Sequence, residues 1–324
     1  MTPSLASTLA LVLGALIFLY RARRAVRTWR AAGGVGARFQ PAWVASGFAI
    51  IGLLTLGLVW LPADEMDDAL PLVGGQNVLN LVEALAATAG FWYLRDAVRL
   101  YSGDRRPARR RHLVLHCLVF SAFFVAVPRR EGDAVRFIDE HLASTACWVY
   151  ISLYMLGVLY LALDSLRSAW KRRADLPGKA FVLGFASVAV GAVFDLAYTS
   201  LGHVRGELTP TGSALLTAFE AFFFPGMVVI MTGYLVPALG RSFWRAVGWR
   251  LSRMSEAGTS LELLRRWTDE SDPLGEAYAT SIRIQGRVLD DTLQLGPRDS
   301  RRFRHIERWI TRAAIPTGGR TWKA

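Results

Sequence analysis

Three carboxylates, Glu83, Asp195 and Glu220, stand inside long apolar stretches of this 324-residue chain. Acids in such surroundings do one of two things. They line a wet cavity where protons or solutes are handled, or they hydrogen-bond neighbouring helices together. No Lys or Arg falls within the same stretches, so each acid is either hydrated or uncharged. At about 1.5 Å per helical residue, Asp195 and Glu220 sit at matching depths, roughly 9 and 10 Å from one membrane face. A short connection joins their segments, so the two are expected to be neighbours able to share a proton. Glu83 lies deeper, at roughly 16 Å. It is expected to share a helical face with Gln76 and Asn80, with Asn77 beside them. Ser213, Thr217 and Glu220 repeat the spacing in a second polar stripe.

Other chemistries find less support. His112 and His116 are one turn apart with Cys117 next, which is ligand-like spacing. They fall at the end of an apolar stretch beside Arg109–Arg111, and His141 and His203 belong to the opposite end, so no metal site and no haem pair is expected. Cys117 and Cys147 lie near opposite faces, too far apart for a disulfide. A retinal protein needs a Lys in a span, and none is there. Rhomboid and aspartyl-protease patterns, a Walker loop, a kinase set and HExxH are also missing. No catalytic residues and no cofactor are expected, and the chain reads as a protein that is not an enzyme.

The elements that must carry the acids follow from hydropathy. Hydrophobic residues make up 52% of the chain, which excludes disorder, and two cysteines exclude a disulfide scaffold. About 20 apolar residues suffice to cross a bilayer as a helix. Seven stretches qualify: 3–20, 41–61, 72–94, 112–128, 141–163, 180–201 and 213–239. The last is expected to tilt, or to bend at Pro225-Gly226. The fold class is therefore all-α, a polytopic membrane domain over residues 1–239 followed by a small helical tail over 240–324.

Cations orient the spans. Connections 21–38, 95–111 and 164–179 hold 6, 7 and 5 basic residues, whereas 62–71, 129–140 and 202–212 hold 0, 3 and 1. By the positive-inside rule the amino terminus lies outside and the carboxyl terminus in the cytoplasm, which places the protein in the plasma membrane. The acidic run Asp64, Glu65, Asp67, Asp68 then falls outside. Nothing basic precedes Leu5 and arginines follow the first apolar run, so that run reads as a retained helix rather than a cleaved signal.

The tail holds 16 of the 38 basic residues. Arg241–Met254 reads as a basic amphipathic helix whose Arg241, Trp244, Arg245, Arg250 and Arg253 suit an anionic headgroup surface. A short helix is expected over 261–267. Another is expected over 274–295, with Tyr278, Ile282, Gln285, Leu289 and Leu293 along one face. A third covers 298–314, with Phe303, Ile306 and Ile310 together. No helix-turn-helix or zinc pattern accompanies the charge, so nucleic acid is not an expected partner. The lipid bilayer and its headgroups are, and a soluble regulatory protein at the tail is a further candidate. The oligomeric state is not readable.

Three segments carry a family resemblance: Gly74-Gly75-Gln76-Asn77 before the alanine-rich third span, Trp170–Arg173 with the helix ending Asp195-Leu196-Ala197-Tyr198, and Pro237–Gly240 with Trp244-Arg245-Ala246. On these the chain resembles a family of actinobacterial multi-span membrane proteins classed as transporters, with a cytoplasmic C-terminal domain of unknown function. The resemblance implies location and topology and supplies no catalytic residues. Two functions are expected to compete. One is a transporter or proton-coupled carrier of a small solute. The other is a sensor or scaffold that binds a ligand in an outer cavity and contacts a regulator through the tail.

Overall fold

The computed structural model describes residues 5–31, 41–55, 67, 76–104, 110–128, 137–255, 272–290 and 292–314. Among these the chain is all-helical. In order run α1 (Leu5–Ala31), α2 (Pro41–Thr55), α3 (Val78–Tyr101), α4 (Arg110–Val125), α5 (Phe137–Glu140), α6 (Thr145–Trp170), α7 (Leu176–Arg205), α8 (Pro210–Ser255), α9 (Pro273–Leu289) and α10 (Pro297–Ala314). The chain divides into two compact units within α8, residues 1–235 and 236–324.

Among the described residues, four helices are long and apolar enough to cross a membrane: Leu5–Ala22, Thr145–Trp170, Leu176–Arg205 and Pro210–Met254. The other three expected spans meet α2, α3 and α4. The described parts of α2 and α4 hold 15 and 16 residues, roughly 23 Å each. α3 has 24 residues but also carries Glu83, Arg95, Asp96 and Arg99. The expected bend at Pro225-Gly226 does not break α8, which is assigned as one helix of 46 residues. Pro225 has no N–H to give the Ala221 carbonyl one turn back, and the Ser187 hydroxyl on α7 donates to the adjacent Phe222 carbonyl at 2.6 Å.

In the first unit α6 packs along α7, and α2 lies between α1 and α3. One core joins Phe91 and Val98 of α3, Val158 and Leu161 of α6, Phe181 and Phe185 of α7 and Ile230 of α8. A second gathers Phe120 and Phe124 of α4, Phe137 of α5 and Tyr150 of α6. Large apolar side chains also face outward, among them Leu115 and Leu118 on α4 and Leu183 and Val193 on α7.

The second unit has its own core of Val247, Leu251, Ala277, Ile284, Phe303, Ile306 and Ile310. It changes the reading of Arg241–Met254. That segment is no separate helix but the end of α8, and Val247 and Leu251 on its apolar side are buried in this core, with Trp244 packed against it. Arg241, Arg250 and Arg253 stay exposed, while Arg245 is half-buried. The face expected for α9 is also corrected. Tyr278, Ile282 and Leu289 are exposed, and Ala277, Thr280, Ser281 and Ile284 are buried instead. Both sets follow helical spacing, and the smaller side chains allow closer approach to α8 and α10. α9 ends at Leu289, so Leu293 lies in the connection. The helix expected over 261–267 lies outside the described residues.

Candidate functional site

The site begins with the start of α3. Asp67 is buried, and its carboxylate accepts hydrogen bonds from the backbone N–H groups of Asn77 at 2.7 Å and Leu79 at 3.1 Å. These donors precede or open the helix and would otherwise lack acceptors; a negative charge there also suits the helix dipole. Asn77 has φ 53°, a left-handed conformation that asparagine tolerates better than most residues. The consequence corrects the polar face. Gln76 and Asn77 precede the helix, so they do not continue the Asn80–Glu83 stripe.

Asn80, Glu83, Ala87, Gly90, Phe91 and Leu94 do form one stripe, and it faces a cavity of about 250 Å³. Across it α8 presents Phe219, Glu220, Phe223, Met227 and Tyr234, again at helical spacing. α7 contributes Asp195 and Tyr198, α6 contributes Tyr154, and α1 and α2 close the wall with small and aliphatic residues. Glu83, Asp195 and Glu220 therefore line the same cavity. Among the described residues, no Lys, Arg or His lines it.

Asp195 and Glu220, the pair expected to meet, thus open onto one cavity together with Glu83 and Tyr154. Among the described residues, none of the three carboxyl groups has a hydrogen-bond partner.

Close packing between α7 and α8 sets that geometry. A Cβ on Gly184 would lie 2.8 Å from the Gly226 carbonyl oxygen and 2.6 Å from Ile230. A Cβ on Gly191 would lie 3.0 Å from Phe223. Only glycine permits such an approach.

Thr217 does not join the cavity. It is exposed, and its hydroxyl donates to the Ser213 carbonyl at 3.0 Å. Asp139 on α5 does join, and it was not singled out by the sequence; it accepts a hydrogen bond from the Tyr198 hydroxyl, and both line the cavity. The available signal was the i, i+3 step from Asp195 to Tyr198, which puts both on one face of α7. Nothing local pointed to Asp139, because its connection only meets the cavity once folded.

The histidine pair is separated by burial. His112 is exposed, whereas the His116 ring packs over Gly157 of α6 and edge-on to Phe120. Cys117 and Cys147 are free thiols. Among the described residues, no three His, Cys, Asp or Glu side chains come together as a metal-binding group.

A second charged feature lies at the other end of α3. Arg95 is buried, stacks on Trp92 at 3.9 Å and lies 3.7 Å from the Asp164 carboxylate of α6. Arg99 reaches the same carboxylate at 3.0 Å. Two of the cations counted in the 95–111 connection are thus ion-paired between helices. No protein-family model, curated protein or solved structure matches the chain.

Proposed function

We propose that this chain is a seven-span plasma-membrane protein, amino terminus outside and carboxyl terminus in the cytoplasm, that binds a small solute in the cavity between its helices and carries it in exchange for protons. The observation that supports this reading is the cavity itself, into which α3, α7 and α8 each bring a carboxyl group with no cation beside it. Acids retained at such a cost inside an apolar bundle are the usual mark of a solute or proton path. The outward-facing leucines and valines of α4 and α7 support a lipid environment. The cation count of the connections supports the orientation. Exposed Arg241, Arg250 and Arg253 suit anionic headgroups, at about 1 kcal/mol for each cation near the surface.

The alternative is a sensor, in which the cavity binds the same solute and the tail contacts a soluble regulator. A compact second unit with its own core favours that reading. Proteoliposomes holding the full chain and a pH dye separate the two. A carrier moves protons when a bound solute is added to one side, and Asp195→Asn and Glu220→Gln remain folded but stop the movement. A sensor binds solute without proton movement in either form.

A further inference from the structure

We propose that the solute is a small organic cation, a protonated amine or quaternary ammonium with an apolar body. This rests on the reading of the cavity as a solute site. The first argument is charge. Glu83, Asp195 and Glu220 face the cavity from three helices, and no basic side chain among the described residues lines it. Asp195 is only 8% exposed, and its carboxyl group lacks a hydrogen-bond partner among the described residues. A polar group buried in that state is costly until something supplies the missing interaction, and a cation does so best.

The second argument is the wall. Phe91, Tyr154, Phe219 and Phe223 give the cavity aromatic surfaces, whose faces attract cations and pack against alkyl groups, while the Tyr234 ring in the same wall already has the Arg21 guanidinium 5.8 Å from its centroid. A bare metal ion needs several oxygen ligands converging on one point. Here the acids are distributed over different walls, and among the described residues no metal-binding group forms. The third argument is size. About 250 Å³ lies just below the roughly 300–1,000 Å³ of pockets for drug-sized ligands, so the guest is small.

The test uses the full chain in nanodiscs and three probes of equal shape: choline, its uncharged carbon isostere 3,3-dimethylbutanol, and the anion 3,3-dimethylbutyrate. Binding is followed by calorimetry and by the thermal midpoint. Choline is expected to bind about tenfold or more tightly than the isostere. Asp195→Asn is expected to remove that preference without lowering the midpoint of the unliganded protein, and Asp195→Glu to restore it. If Asp195→Asn does not fold, Glu83→Gln and Glu220→Gln carry the same expectation. Equal or tighter binding of the neutral or anionic probe overturns the organic cation and leaves the solute cavity standing. Stabilisation by sodium or calcium alone makes the site an inorganic-ion site and overturns it too. No response to any probe or ion overturns the cavity as a binding site, and this proposal with it.

Discussion

Gly184 of α7 and Gly226 of α8 meet backbone to backbone: a Cβ on Gly226 would lie 2.9 Å from the Gly184 carbonyl oxygen, and one on Gly184 would lie 2.8 Å from that of Gly226. The contact brings α7 and α8 close enough for Asp195 and Glu220 to share a cavity. Because the nearest atom to a Cβ on Gly226 is backbone, α7 cannot make room for it by a rotamer change alone. Gly226→Ala is expected to lower stability by about 1–3 kcal/mol, and Gly226→Val by more. Thermal unfolding in detergent reads both. A midpoint unchanged in Gly226→Val would show that the helices are not in this contact.

Asp164 holds two guanidinium groups, of which Arg95 is nearly inaccessible and Arg99 is about a quarter exposed. Asp164→Ala leaves the buried Arg95 charge with only Asp96, 3.3 Å away, as its carboxylate partner and is expected to cost about 1–3 kcal/mol. The double change Asp164→Leu with Arg95→Met removes both buried charges and should recover most of the loss, since Arg99 can turn to solvent. Denaturation of the two variants side by side checks the difference between them.

Asp67 caps α3 from ten and twelve residues away. Asp67→Ala is expected to cost about 1 kcal/mol, the ordinary worth of a helix cap. Hydrogen exchange should speed up at Asn77 and Leu79 and remain unchanged near Arg95. Uniform loss of protection along α3 would mean that Asp67 supports more than the first turn.

The corrected face of α9 separates two substitutions that look alike in sequence. Ile284→Ala removes a fully buried side chain from the core of the second unit and is expected to cost about 2–4 kcal/mol. Ile282→Ala, two residues away and 48% exposed, should change stability by no more than about 0.5 kcal/mol. Limited proteolysis of the full chain reports this, with faster cleavage in the tail expected only for Ile284→Ala.

Topology can be checked independently of any solute. A reporter fused after Ala324 is expected to be active only in the cytoplasm, and one inserted after Asp68 only outside. The opposite result at either position would require a different number of crossings between them.

Hydropathy and charge sufficed to read an all-helical chain with membrane-length apolar helices, because a helix needs only its own residues to satisfy its backbone and show its composition. The face of α10 was legible for the same reason: Phe303, Ile306 and Ile310 are its only large aliphatic or phenylalanine side chains, and all three are buried. α9 offered two faces of similar spacing, and only packing against its neighbours chose Ala277 and Ile284 over Tyr278 and Ile282. Likewise, spacing placed Glu83, Asp195 and Glu220 at depths along their helices but could not give the rotation of each helix about its axis. That rotation is set by contacts distant in sequence, such as Gly184 with Gly226 and Asp67 with the start of α3. It is why the three acids open onto one cavity, and why Asp139, unremarkable in its connection, becomes part of it.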